Sequence, residues 1–422
     1  MITPAYSPTA TERVLPRMAL DFTTGVLDSR VTVTRALNTA TRVNSSGYIE
    51  IVNSNLPRFD YDPITLAPKG LLIEEARTNS VLQSETFSTT WANFGFSLVK
   101  NYIAPDGQNN ATKIVPDNAT TLANNALQQN VSKAASSITY TCSIFAKAGE
   151  FNRLRLLVRD VATGNNFARA TFNLGTKTVS DGPTAGGTFS AASVSYQDAS
   201  EGFIRYCLTF TTGTETSIRP VLVVFDSVAT TGNGTSGIYA YGAQLEAGAF
   251  ATSYIPTTTT SLTRNADVVS MTGTNFSDWY NASEGTFLIN ANRYLATAGF
   301  PRMLSCSDNT ASNEIALYIA NATSRAQVLA VDNTVIQTNG FVVYSGQQIN
   351  LCGRFKLNGF AGSLNGGATF TDSVGTMPVG LTQMTIGTGP LTTSPIFSGH
   401  VQKISYWPQA LTNAEVQAFS KG

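Results

Sequence analysis

Three arginines crowd the segment FNRLRLLVRD, residues 151–160: Arg153, Arg155 and Arg159. If this segment is a strand, period-two alternation puts them on one face and Leu154, Leu156 and Val158 on the other. Guanidinium groups gathered on a sheet face would grip the carboxylates of an acidic polysaccharide or a carboxylate-bearing partner, because each offers a planar fork of donors. The plainer role is a solvated face paired with acids from the next strand. A second chemistry is sugar stacking, which needs a flat aromatic face under a pyranose ring and amides or carboxylates for its hydroxyls. Trp91 in TTWANFGFS, and Trp279 and Tyr280 in SDWYN, are the candidates for that role. Packing into a hydrophobic core is the competing role for all three.

Other chemistries find less support. The loops CSDNTASNE and FDSVATTGNG carry Asp308, Asn309 and Asp226, whose oxygens suit calcium and equally suit turn hydrogen bonds; calcium is the one cofactor considered. The single histidine, His400, rules out a multi-histidine metal site within one chain. A glycosidase needs two carboxylates at a set separation, which sequence alone does not pair. No G-x-S-x-G elbow is present. The chain is therefore expected not to be an enzyme. Cys142, Cys207, Cys306 and Cys352 show no CxxC spacing and read as small apolar strand residues.

Composition narrows the partners. Lys plus Arg and Asp plus Glu each number 27, so the formal charge is zero and a nucleic-acid partner is not expected. Charged residues make up 13%, against roughly 25% in ordinary domains. Thr, Ser, Asn and Gly supply the polar surface instead, a mixture that favours strands and turns. No apolar run is long enough for a transmembrane helix, so membrane insertion is not expected. The N-terminus lacks the pattern of a Sec signal peptide.

The elements that would position these side chains are short alternating strands, among them RVTVTRA, ITYTCSIFAKA, RPVLVVFD, GIYAYGAQLE and GTFLINANRY, separated by Gly and Asn turns. The fold class expected is all-β: two antiparallel β-sandwich modules, jelly-roll and concanavalin-like, preceded by an extended N-terminal segment. The segments predicted are 1–80 for N-terminal attachment, 85–255 for the first sandwich and 256–422 for the second. YIPTTTTSLTR, residues 254–264, marks the linker. There is also a weak internal echo between VTVTRALNTATRV and TSLTRNADVVSM.

Several stretches carry a resemblance. PRFDYDPITLAPKGLLIEEARTN, residues 57–79, resembles a stretch of many tailed-bacteriophage structural proteins, tail fibres among them. GIYAYGAQLEAGAFATSYIPT resembles the close of the carbohydrate-binding-module jelly rolls in such proteins. SEGTFLINANRY, RFKLNGFAGSLNGGATF and FSGHVQKISYWPQALTNAEVQAFS resemble strands of a laminin-G/concanavalin-like lectin domain. In the last of these, Thr412 and Glu415 have capping-box spacing, so a short helix should follow the final strand, cover the core and bury Trp407. The resemblance implies a virion protein of fibre or receptor-binding type, assembled in the host cytoplasm and exposed on the particle. Its implied partners are other virion proteins and host cell-surface polysaccharide, and it implies a homo-oligomer, with a trimer favoured. A head fibre, decoration protein or tail component using the same folds for protein contacts alone is the alternative, and a glycan-degrading enzyme is the third.

Overall fold

In the computed structural model the described residues are 15–118, 121–226, 231–294, 299–320, 325–343, 346–391, 394 and 396–422. They form two antiparallel β-sandwiches, as the alternation predicts. In the first, one sheet runs in the order Ser190–Asp198, Ile204–Thr211, Thr139–Ala148, Ile238–Ala247, Ala111–Pro116, Phe96–Tyr102. The facing sheet runs Thr178–Gly186, Phe167–Asn173, Arg153–Asp160, Ser217–Phe225, Ala126–Gln128, Ala92–Phe94. Arg153–Asp160 lies mid-sheet and strictly alternates between buried and half-exposed residues. Leu154, Leu156 and Val158 are fully buried against a core that includes Ile144, Leu208 and Phe210.

The second sandwich departs from expectation. Its larger sheet has Glu284–Arg293 and Gly399–Trp407 at its centre. Met18–Asp21 pairs with Gly399–Trp407 in the register Met18 to Tyr406. Pro68–Ile73 pairs with the other half of the same strand, and Phe59–Tyr61 pairs with Pro68–Ile73. In the facing sheet, Thr32–Thr34 pairs with Val268–Thr272. Within the described residues the N-terminal stretch is thus not an extended segment apart from the sandwiches: residues 18–73 supply four strands to the C-terminal one, and residues 1–14 of the stretch lie outside the described residues. Thr32–Thr34 falls within the alternating stretch RVTVTRA, but the other three strands, only three to six residues long, are too short for their alternation to stand out. Yet Met18, Leu20, Val33, Leu71 and Ile73 are all core residues. Gly70 has a φ of +100°, and a Cβ there would collide with the Val401 carbonyl oxygen, so this close strand crossing requires glycine.

The C-terminus closes as the sequence suggests, with one difference. Glu415 N–H donates to Thr412 Oγ1 (3.3 Å) and Thr412 N–H donates to Glu415 Oε2 (2.7 Å), a complete capping box for the helix Asn413–Phe419. Trp407 stacks on Phe419 with ring centroids 4.7 Å apart, over Cys352, Leu411 and Val416. This is a small core of its own. Strand alternation turns Tyr406 into the main core and Trp407 to the opposite face, so the helix covers the outside of the sheet rather than an end of the sandwich.

Two outcomes follow from this topology. A fragment of residues 256–422 lacks four strands of its own sandwich and is expected to show no cooperative thermal transition by circular dichroism; a sharp transition would contradict the strand exchange. Trp407→Ala in the full chain is expected to destabilise the second sandwich by about 3–5 kcal/mol, measured by denaturant unfolding, while leaving the first sandwich's transition in place.

Candidate functional site

The arginine strand sets the site. On its outward face, Arg153 lies level with Asn173 and Phe225, and Arg155 with Thr171 and Val223. Leu157 lies level with Arg169 and Val221, and Arg159 with Phe167 and Arg219. Five guanidinium groups therefore share three adjacent strands, two more than the sequence reading counted. Arg169 and Arg219 escaped it because they belong to neighbouring strands and join the face only through cross-strand register. The ion pairs described here go to one carboxylate, Asp181, at 3.1 Å from Arg155 and 3.9 Å from Arg169. Arg155 Nε also donates to Thr171 Oγ1 (2.9 Å), Arg159 reaches Gln128 Oε1 (3.3 Å) and Arg219 reaches Asn130 Oδ1 (2.7 Å). The Nε–H groups of Arg153, Arg159 and Arg169 have no hydrogen-bond partner among the described residues. Burial, and then the charge of Arg169, push the Arg155 pKa below its ordinary value. The aromatic rings at the two ends are engaged by cations: Arg155 lies over Phe225 at 4.6 Å and Arg169 over Phe167 at 5.7 Å.

The opposite outer face of this sandwich is partly covered by the connector, to which the stretch at residues 57–79 is hydrogen-bonded. Phe145, Phe203 and Tyr241, on the outside of that sheet, pack with Tyr254 of the connector into a separate apolar cluster. Beside it lies a buried ionic cluster. Arg58, fully buried, donates to Glu74 Oε2 (2.7 Å) and is paired with Asp267. Arg35 pairs with Asp267 (2.8 Å) and Arg264 with Glu74 (3.0 Å). Ser253 N–H donates to Glu74 Oε1 (2.8 Å). Asn79 Nδ2 donates to the carbonyls of Ala243 (3.1 Å) and Ile255 (2.9 Å). The Pro-rich stretch and the GAQLE–SYIPT stretch are thus each other's partners. The internal echo also has a physical counterpart: its two arginines, Arg35 and Arg264, flank the same pair of acids.

A cleft of about 370 Å³ opens where the hairpin of Ala40–Val43 and Ile49–Val52, the edge strand Ser190–Asp198 and the connector at 250–254 meet. Asp62, Lys69, Tyr196, Asp198, Phe250 and Tyr294 are among its lining. Its charged groups are largely engaged: Asp198 with Lys177 (2.9 Å), Lys69 with Asp60 (3.6 Å), and Asp62 as acceptor for the backbone N–H groups of Ile64 and Thr65.

The aromatic candidates belong to cores. Trp91 is 6% exposed and its Nε1–H donates to the Leu82 carbonyl (2.8 Å). Trp279 is 3% exposed and donates to the Asn275 carbonyl (2.7 Å). Tyr280 is half-buried and stacks on Phe276 at 4.8 Å. Neither indole offers an open face to a sugar, because each ring fills space its sandwich must fill. All four cysteines are free, buried strand residues. The Asp308 carboxylate accepts hydrogen bonds from Thr310 and Asn313 and so serves its own turn. Residues 227–230 of the second loop weighed for calcium lie outside the described residues. His400 is buried, with Nε2 2.8 Å from Asp60 Oδ2.

No protein-family model and no curated protein matches this sequence. Solved structures do. The carbohydrate-binding module 40 of the Ruminococcus gnavus IT-sialidase is similar at 14% identity over 33% of this chain and 84% of that one, with a TM-score of 0.28. Domain 4 of an extracellular arabinanase from Geobacillus stearothermophilus, in complex with arabinotriose, is similar at 13% identity over 37% and 73%, with a TM-score of 0.28. Domains LG4-5 of the mouse laminin alpha1 chain are similar at 9% identity over 80% and 93%, with a TM-score of 0.23.

The ionic cluster makes stability depend on pH in a definite direction. Burial alone would raise the Glu74 carboxyl, but Arg264 and Arg58 outweigh it and hold the carboxyl far below the usual range. Burial lowers the His400 pKa, offset in part by Asp60. Both groups hold fewer protons folded than unfolded, so stability is full above about pH 6.5 and falls as the pH drops, first through the unfolded histidine value and again below about 4.3. With one histidine in the chain, the first fall is assignable: urea midpoints measured from pH 8 to 5 should decline, and His400→Gln should flatten that decline. Glu74→Gln is expected to cost about 3–5 kcal/mol at pH 8, because it leaves buried guanidinium charge unmatched.

Proposed function

We propose that this chain is a non-catalytic glycan-binding protein whose first sandwich presents the arginine face to its ligand. The observation that carries this reading is the contrast between the two outer faces of that sandwich. One is partly covered, by Tyr254 of the connector and Ile49 of the N-terminal hairpin. The other holds five guanidinium groups on half-exposed side chains, with described ion pairs to a single carboxylate. The non-catalytic part is supported by three of the buried acids, Glu74, Asp267 and Glu314, which are each committed to arginine partners. The arabinotriose named with one of the similar structures agrees with a glycan ligand without bearing on which one.

The finer reading is a bacteriophage virion protein of fibre or receptor-binding type, oligomeric and exposed on the particle, contacting host-surface polysaccharide. Its support is the resemblance of residues 57–79 and of the GAQLE–SYIPT stretch to phage structural proteins. A glycan array probed with the purified full chain tests the binding claim. Wild type should retain a defined subset of glycans, and the double variant Arg155→Ala/Arg169→Ala, folded by circular dichroism, should lose it. A folded wild-type protein that retains no glycan would favour the role in protein–protein contacts alone.

A further inference from the structure

We infer that the ligand of the arginine face is an extended polyanionic sugar chain, carrying carboxylate or sulfate groups on successive residues and lying along the strand Arg153–Asp160. This rests on the reading of that face as a glycan site. The argument is the arrangement of charge. Each of the four rows of the face holds at least one guanidinium: Arg153 in the first, Arg155 in the second, Arg169 in the third, and Arg159 with Arg219 in the fourth. Six residue steps at about 3.3 Å each spread those rows over roughly 20 Å. A single anionic sugar would meet one or two of them, whereas a chain running parallel to the strand meets all four rows.

The face is also costly without a ligand. Arg159 and Arg219 stand directly opposite each other across the strand pair, an arrangement that destabilises a sheet. The described carboxylate, Asp181, serves only the two middle rows, those of Arg155 and Arg169. Guanidinium is suited to carboxylate and sulfate because its paired N–H donors match two acceptor oxygens at once. Between the charges lies the half-exposed Leu157, an apolar contact for the ring C–H groups of a sugar backbone, while its neighbours Val221 and Val223 are buried. A nucleic acid would need a run of open aromatic platforms for its bases; Phe225 and Phe167 already lie beneath arginines, which leaves Phe94, 52% exposed on the edge strand, as the one open ring of this face among the described residues. The formal net charge of zero places the attraction in this face and not in the protein as a whole.

Titration calorimetry on the full chain tests this. The probes are galacturonate oligomers of one, two, four and six residues, chondroitin sulfate oligosaccharides of matching lengths, and neutral maltohexaose. Binding should tighten with length up to about four anionic groups and weaken steeply with added salt. Whichever anion arm binds more tightly identifies the charged group. Arg155→Ala and Arg169→Ala should each cost roughly tenfold in affinity. Asp181→Asn should strengthen binding, a gain that damage to the fold would not produce. Binding that ignores length and salt, or maltohexaose bound as well as the acidic oligomers, would overturn the inference while leaving a glycan site in place. Binding of polyglutamate or a single-stranded oligonucleotide through this face, with no sugar bound, would overturn both. So would the absence of binding to any probe.

Discussion

The molecule is organised around a buried set of charges. Arg35, Arg58 and Arg264 surround Glu74 and Asp267, with side chains 0–2% exposed. Removing ions from water costs several kcal/mol each, and such clusters seldom add net stability over a packed apolar core. What they impose is geometry, because each guanidinium fork accepts few arrangements of its carboxylates. Here the five residues come from four stretches of chain, at positions 35, 58, 74 and 264–267. Satisfying them together seats the N-terminal strands, the connector and the second sandwich against the outer sheet of the first. That seating decides which face of the first sandwich is covered and which stays open.

The open face shows the complementary economy of charge. At the junction, positive groups are matched by carboxylates and shielded from water. On the arginine face they are left short of partners, with two of them opposed across a strand pair. A sheet face selected for stability alone would alternate signs or carry threonine, as the Thr139 to Thr211 and Thr141 to Thr209 pairs of the other sheet do. The proposed anion site rests on this contrast within one domain.

Much of this was legible in the residues before any coordinates. Alternation in FNRLRLLVRD placed Arg153, Arg155 and Arg159 together, since a strand's side-chain period depends only on its own sequence. The terminal cap was legible for the same reason: a capping box is satisfied within four residues. The four cysteines were recognisable as strand residues from their apolar, alternating surroundings. Less local facts were hidden. Trp91 and Trp279 looked the same whether core or platform, because burial is a property of what packs on a ring. Apart from the one in RVTVTRA, the short strands between residues 18 and 73 had too little length to declare a pattern, and nothing in Met18–Asp21 or Pro68–Ile73 names a partner more than three hundred residues away.

By itself, then, the sequence determined the all-β class, the two patterned sandwich regions, the outward turn of the arginines on their strand and the capped C-terminal helix. All of these are settled by interactions within a few residues of one another. Only the tertiary structure decided that Arg169 and Arg219 complete the basic face, that the N-terminal strands belong to the last sandwich, and that residues 57–79 close a junction. Those outcomes depend on strand order and register, which arise when distant segments bury a common core and match their charges, and no single stretch of chain contains that information.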